Sequence, residues 1–97
     1  MKNKNEYCKA IESTGLLSKG QKKILKYILA FDQNNGVTAD SIRDFAKITR
    51  QAANVHLQRL LDRGFVTREK NRVYVYFVKQ KKIDEILEEY KIIQYHK

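Results

Sequence analysis

From Ser18 onward the apolar positions fall at helical spacing. In "SKGQKKILKYILAF", Ile24, Leu25, Ile28, Leu29 and Phe31 recur at intervals near three and four while Lys22, Lys23 and Lys26 take the other side, which predicts a helix over 19–32. Ahead of it, Tyr7, Ala10 and Ile11 form a thin apolar stripe that predicts a short helix over 5–13. The polar run "DQNNG" breaks the period. "GVTADSIRDFAKI" then offers Thr38 as an N-cap, whose hydroxyl accepts from an orphan amide of the first turn, with Ile42, Phe45 and Ala46 on one face. Only "KI" separates this short helix from Thr49, a second N-cap, after which Ala53, Leu57, Leu60 and Leu61 mark a helix over 49–63. Two short helices joined so closely cross steeply, as in a helix-turn-helix.

Gly64 is placed to take the left-handed conformation that ends a helix, and beyond it the period shortens to two. "FVTRE" and "RVYVYFV" are rich in β-branched and aromatic residues, so they predict an antiparallel ribbon over 65–78 with "KN" in its turn. Val73, Val75 and Phe77 share one face and Tyr74, Tyr76 and Val78 the other; one face is expected to cover the core, with the tyrosines against the last helix. That helix is predicted over 80–95 by Ile83, Ile86, Tyr90 and Ile93, broadened by Leu87 and Ile92. At ~1.5 Å per residue it runs about 24 Å, longer than a small core needs. The stripe Ile83, Ile86, Leu87, Tyr90 and Ile93 is therefore expected to meet a second copy of the chain, the alternative being a helix folded back on its own domain.

A length of 97 residues fits one domain with a modest core. The expected division is an N-terminal extension over 1–17, a core over 18–78 and a C-terminal helix over 79–97. The net charge of +9 is unevenly spread: residues 37–82 carry 11 basic and 4 acidic side chains, residues 83–97 carry 2 and 4. A basic body with a mildly acidic tail points to a polyanionic partner, nucleic acid before membrane. Cys8 stands alone, and His56 and His96 are forty residues apart without paired carboxylates, so neither a disulfide nor a metal site is expected within the chain, and no cofactor. No glycine-rich phosphate loop or nucleophile–base pair is present, which argues against an enzyme. Without a membrane-length apolar run or a signal-like N-terminus, the expected location is cytoplasmic.

The order helix, helix, helix, hairpin, with T-x-x-x-A-x-x-x-L-x-x-L-L-x-x-G-F-V running from Thr49 to Val66, resembles a winged-helix DNA-binding domain over residues 18–78. The added C-terminal helix is similar in placement to the dimerisation helices of small MarR-like and ArsR-like repressors. The resemblance implies an α+β, mostly α fold: a winged helix-turn-helix with a three-helix core, a β-hairpin wing and a C-terminal dimerisation helix. It also implies a homodimeric regulator of double-stranded DNA that acts as a repressor, with helix 49–63 in the major groove. The chain departs from those families in lacking a metal-sensing cysteine–histidine cluster and in its short N-terminal segment.

Opposite the apolar stripe of helix 49–63 lie Gln51, Ala52, Val55, Gln58 and Arg59, with Asn54 at the margin. Gln51 and Gln58 suit adenine, Arg59 guanine or phosphate, and Ala52 or Val55 a thymine methyl. Arg50, in the first turn, suits phosphate. Arg68, Lys70, Asn71 and Arg72 crowd the hairpin tip, where a wing follows the backbone or enters a narrow minor groove; charge that merely guards an exposed edge is the competing reading. Lys19, Lys22, Lys23 and Lys26 are read as a solvated helix face outside the site, with added phosphate contacts as the alternative. A protein-interaction or replication and plasmid-maintenance accessory module is the alternative function, and Tyr74 and Tyr76 stacking on unpaired bases a third.

Overall fold

The computed structural model describes residues 4–30 and 35–95, arranged as α1 (Lys4–Ser13), α2 (Lys19–Ala30), α3 (Ala39–Ala46), α4 (Arg50–Asp62), β1 (Val66–Asn71), β2 (Val73–Val78) and α5 (Gln80–Tyr95). Phe31, His96 and the greater part of the "DQNNG" break lie outside the described residues. Both threonine caps form: Thr38 Oγ1 accepts from the Ser41 amide at 3.2 Å and Thr49 Oγ1 from the Ala52 amide at 3.0 Å. Between them Lys47 takes a left-handed conformation (φ 56) that ends α3 and lets α4 begin three residues later. Gly64, at φ 78, closes α4.

The core is a single cluster in which every element takes part. Ile24, Leu25 and Ile28 of α2 meet Ile42 of α3 and Ala53, Leu57 and Leu60 of α4, with Phe65, Val66, Tyr76 and Val78 closing it from the ribbon. Phe45 departs from the expected pattern. It is 40% exposed and stacks on Tyr27 at a ring-centroid separation of 4.0 Å, because an eight-residue helix buries little beyond Ile42.

The ribbon is antiparallel with Val66 opposite Val78 and Lys70 opposite Tyr74. Its apex is Arg72, at φ 68, rather than the expected Lys70–Asn71. A further isolated bridge joins Val37 to Tyr76 by paired backbone bonds of 2.9 and 2.7 Å, so the segment ahead of α3 pairs with the free edge of β2 at one position. Gly36 permits it: φ is 66, and a β-carbon there would stand 2.8 Å from the Phe77 ring. The tyrosines do not lie as expected against the last helix. Tyr76 is buried beside Val37, and Tyr74 is exposed beneath wing cations.

The stripe of α5 also corrects the expectation. Ile83, Ile86 and Leu87 are buried in the chain's own core, where α1 lies alongside and supplies Tyr7, Ala10 and Ile11. They are thus unavailable to a second copy; of the five stripe residues only Ile93 is exposed, and Tyr90 is half-buried. The two helices are fastened by the Tyr7 hydroxyl, which donates to Asp84 Oδ1 at 2.7 Å and accepts from Gln80 Nε2 at 3.0 Å. Burial, then the neighbouring Asp84 carboxylate, pushes the Tyr7 phenol up to about 12. Lys91 and Glu6 add an ion pair at 3.6 Å.

Candidate nucleic-acid interface

The face of α4 opposite the core carries the expected residues. Gln51, Asn54, Val55, Gln58 and Arg59 are exposed and Ala52 is half-buried. Val55, 48% exposed at the middle of the helix, is an apolar side chain with no intramolecular use for its surface. Arg50 is exposed in the first turn, where its Nε lies 3.4 Å from Asp40, a carboxylate that it shares with Arg43.

Ribbon alternation decides which wing residues approach this face. Val66, Arg68 and Lys70 share a side with Tyr74, Tyr76 and Val78. The base of that side is apolar and buried; its outer half runs past the core and over α4, and there it becomes cationic. Arg68 Nη1 donates to Gln58 Oε1 at 3.4 Å, and Gln58 Nε2 donates to Asp62 Oδ1 at 2.8 Å. The Arg68 guanidinium also lies 4.3 Å from the Tyr74 ring centroid and Lys70 Nζ 5.5 Å from it, so one aromatic plate holds two cations forward. Asn71 falls on the opposite side with Glu69, and Arg72 stands at the apex, so the four-residue tip cluster is divided rather than shared.

A cleft of about 120 Å³ joins the parts. Thr38, Asp40, Arg50, Asn54 and Tyr74 line it, bringing the start of α3, the first half of α4 and the wing to one place. Two participants in this surface were not anticipated, and Tyr74 was expected only as a residue stacking on unpaired bases, not as a support for the wing cations. Asp62 could have been found from its i+4 spacing to Gln58; Asp40 reaches Arg50 only through the helix crossing. Among the described residues no group of three His, Cys, Asp or Glu is disposed to hold a metal ion, and no helix is long and apolar enough to cross a membrane.

A family model described as the MarR family matches residues 14–73. Among solved structures, a MarR transcriptional regulator from Methanosarcina mazei Go1 is 25% identical with a TM-score of 0.62, over 96% of this chain and 71% of that one. S. aureus MepR, in a variant bound to an oligodeoxyribonucleotide, is 17% identical with a TM-score of 0.67, over 96% and 70%. A protein from the thermoacidophilic archaeon Sulfolobus tokodaii is 18% identical with a TM-score of 0.62, over 96% and 92%. No curated protein is comparably similar in sequence. The matched span takes in α2, α3, α4 and most of the wing, more than half of the chain, and the chain belongs to the MarR family.

Proposed function

We propose that this protein is a transcription regulator that binds double-stranded DNA as a homodimer, with α4 in the major groove and the wing beside it. The observation that carries the reading is the hydrogen bond from Arg68 to Gln58, which makes the helix face and the wing one continuous surface. Gln51, Asn54, Val55 and Gln58 are of a kind to read base edges; Arg50, Arg59, Arg68, Lys70 and Arg72 suit phosphates. A structural relative, S. aureus MepR, has been captured on an oligodeoxyribonucleotide. Repression by occluding a promoter is the simplest action of a surface that covers duplex DNA. Its side chains bind rather than transform, and its place is the cytoplasm.

The dimer contact centres on the far half of α5. Ile92 and Ile93 are 57% and 59% exposed, and Ile93, with Leu16 and Tyr90, borders a groove of about 360 Å³ between α5 and the end of α1. This replaces the inward part of the stripe with its outward part.

A gel shift with random duplex at low salt tests the reading, using the wild-type chain and variants with Arg59 and Arg72 each replaced by Ala. Retardation that weakens in both variants is expected. A chain that leaves duplex unshifted, or variants that bind as well as the parent, would point instead to a protein-interaction module.

A further inference from the structure

The four lysines of α2 are alike in sequence and different in space. Lys22 Nζ donates to the Glu12 carbonyl at 2.7 Å and Lys26 pairs with the Glu12 carboxylate, so both are turned toward α1. Lys19 and Lys23, on the same broad face of the helix, line a separate cleft of about 300 Å³ between α2 and α4 with Gly20, Ile48 and His56. Among the described residues neither forms a direct salt bridge: Lys19 acts on Glu12 only through the longer-range Coulombic field, and Lys23 Nζ lies 5.6 Å from the Phe45 ring centroid.

His56 ties this cleft to the reading helix. Asn54, Val55 and His56 are consecutive, so at about 100° per residue they leave α4 in three directions. Val55 points outward, Asn54 lines the wing-side cleft, and His56 lines the lysine cleft on the opposite flank. The imidazole lies against Gly20, where a β-carbon would stand 3.2 Å from its Cε1. Its Nδ1 is the one buried side-chain nitrogen or oxygen among the described residues without a hydrogen-bond partner. The imidazole is thereby held as part of the cleft wall, with its Nδ1 closed to solvent.

A helix seated in the major groove, which is about 12 Å wide, has a sugar–phosphate strand on each side. The wing accounts for one side of α4. We propose that the cleft of Lys19, Lys23 and His56 receives a backbone phosphate of duplex DNA on the other strand, and that these two lysines, not Lys22 or Lys26, belong to the DNA interface. The inference rests on the duplex-binding reading above and adds a second phosphate contact region to it. Charge complementarity and continuity with the α4 face select the occupant: two cations beside the reading helix, neither in a direct salt bridge, fit the polyanion proposed for that face.

The test compares two double variants on one helix. Lysine to glutamine keeps helical propensity and removes charge. Binding of a short duplex is measured over a range of salt for the wild type, for Lys19→Gln with Lys23→Gln, and for Lys22→Gln with Lys26→Gln. Each lost phosphate contact lowers the slope of log affinity against log salt by about 0.9. The first pair should flatten the slope by about 0.9 or more per protomer, and the second by less than half as much. Equal slopes for the two pairs, or a larger effect from the second, would overturn the inference while leaving duplex binding intact. No salt-dependent binding by the wild type would overturn the duplex reading, and this inference with it.

Discussion

Arg68 on the wing donates to the Gln58 carboxamide on the reading helix at 3.4 Å, and that same carboxamide donates to Asp62 at 2.8 Å. Both ends of the amide are thereby oriented, its oxygen toward the wing and its nitrogen toward the end of α4. One lone pair and one N–H remain for a base, in a fixed order, and that pair matches the N6 donor and N7 acceptor of adenine. Replacing Gln58 with Ala should relax preference at one base pair by about 1–3 kcal/mol while leaving preferences elsewhere in the site unchanged. Affinities for a set of duplexes differing at single positions measure this; an unaltered preference at every position would remove Gln58 from base reading.

Gly36 and Gly64 both hold positive φ, at 66 and 78, but only Gly36 is crowded. An alanine at either pays the left-handed penalty of about 1–2 kcal/mol. At Gly36 it must also push back Phe77, whose ring edge lies 2.8 Å from the new β-carbon, while nothing lies within 4 Å at Gly64. Gly36→Ala should therefore destabilise more than Gly64→Ala in urea unfolding. Equal losses would mean that the loop before Val37 adjusts freely and that the Val37–Tyr76 bridge does not depend on the close approach.

Which features the sequence revealed depended on how local their causes are. Thr38 and Thr49 cap their helices through bonds three residues away, so position in the chain sufficed. The inward and outward faces of α4 followed from its period, because Ala53, Leu57 and Leu60 face the core. The orientation of α5 did not follow. An apolar stripe looks the same whether it meets a second copy or its own chain, and only the packing of Tyr7, Ala10 and Ile11 along Ile83, Ile86 and Leu87 decides. For the same reason the lysines of α2 could not be sorted. Glu12 takes two of them because α1 lies on that side, a fact of tertiary packing that no spacing within α2 contains.

Tyr7 gives the α1–α5 contact a pH dependence. Its phenol titrates near 12 in the folded chain against an ordinary value of 10.0, so the folded state holds the proton more tightly. Below pH 10 both states are protonated and the stabilisation is complete; it is lost as pH rises from about 10 through 12. Tyr7→Phe should cost about 1 kcal/mol at neutral pH, from the lost bonds to Asp84 and Gln80, and should remove the part of the alkaline decline that Tyr7 causes. Urea midpoints at pH 9 and pH 11 for both proteins check it. An equal fall in each would show that Tyr7 does not link α1 to α5 in this way.

The outward end of α5 makes a separate prediction about assembly. Ile93 is 59% exposed in the single chain, whereas Leu87 is fully buried. Ile93→Glu should leave the fold intact and convert dimer to monomer in light scattering, while Leu87→Glu should unfold the chain. An Ile93→Glu protein that stays dimeric would place the interface elsewhere.

The central claim is that α4 and the wing present one surface to duplex DNA, and backbone amide NMR during titration with duplex tests it most directly. The account predicts shifts confined to Arg50–Arg59 and Arg68–Tyr74, with Lys19, Gly20 and Lys23 moving in step and the buried half of α5 unmoved. Shifts gathered on α5 instead, or perturbation of the wing without the helix, would contradict it.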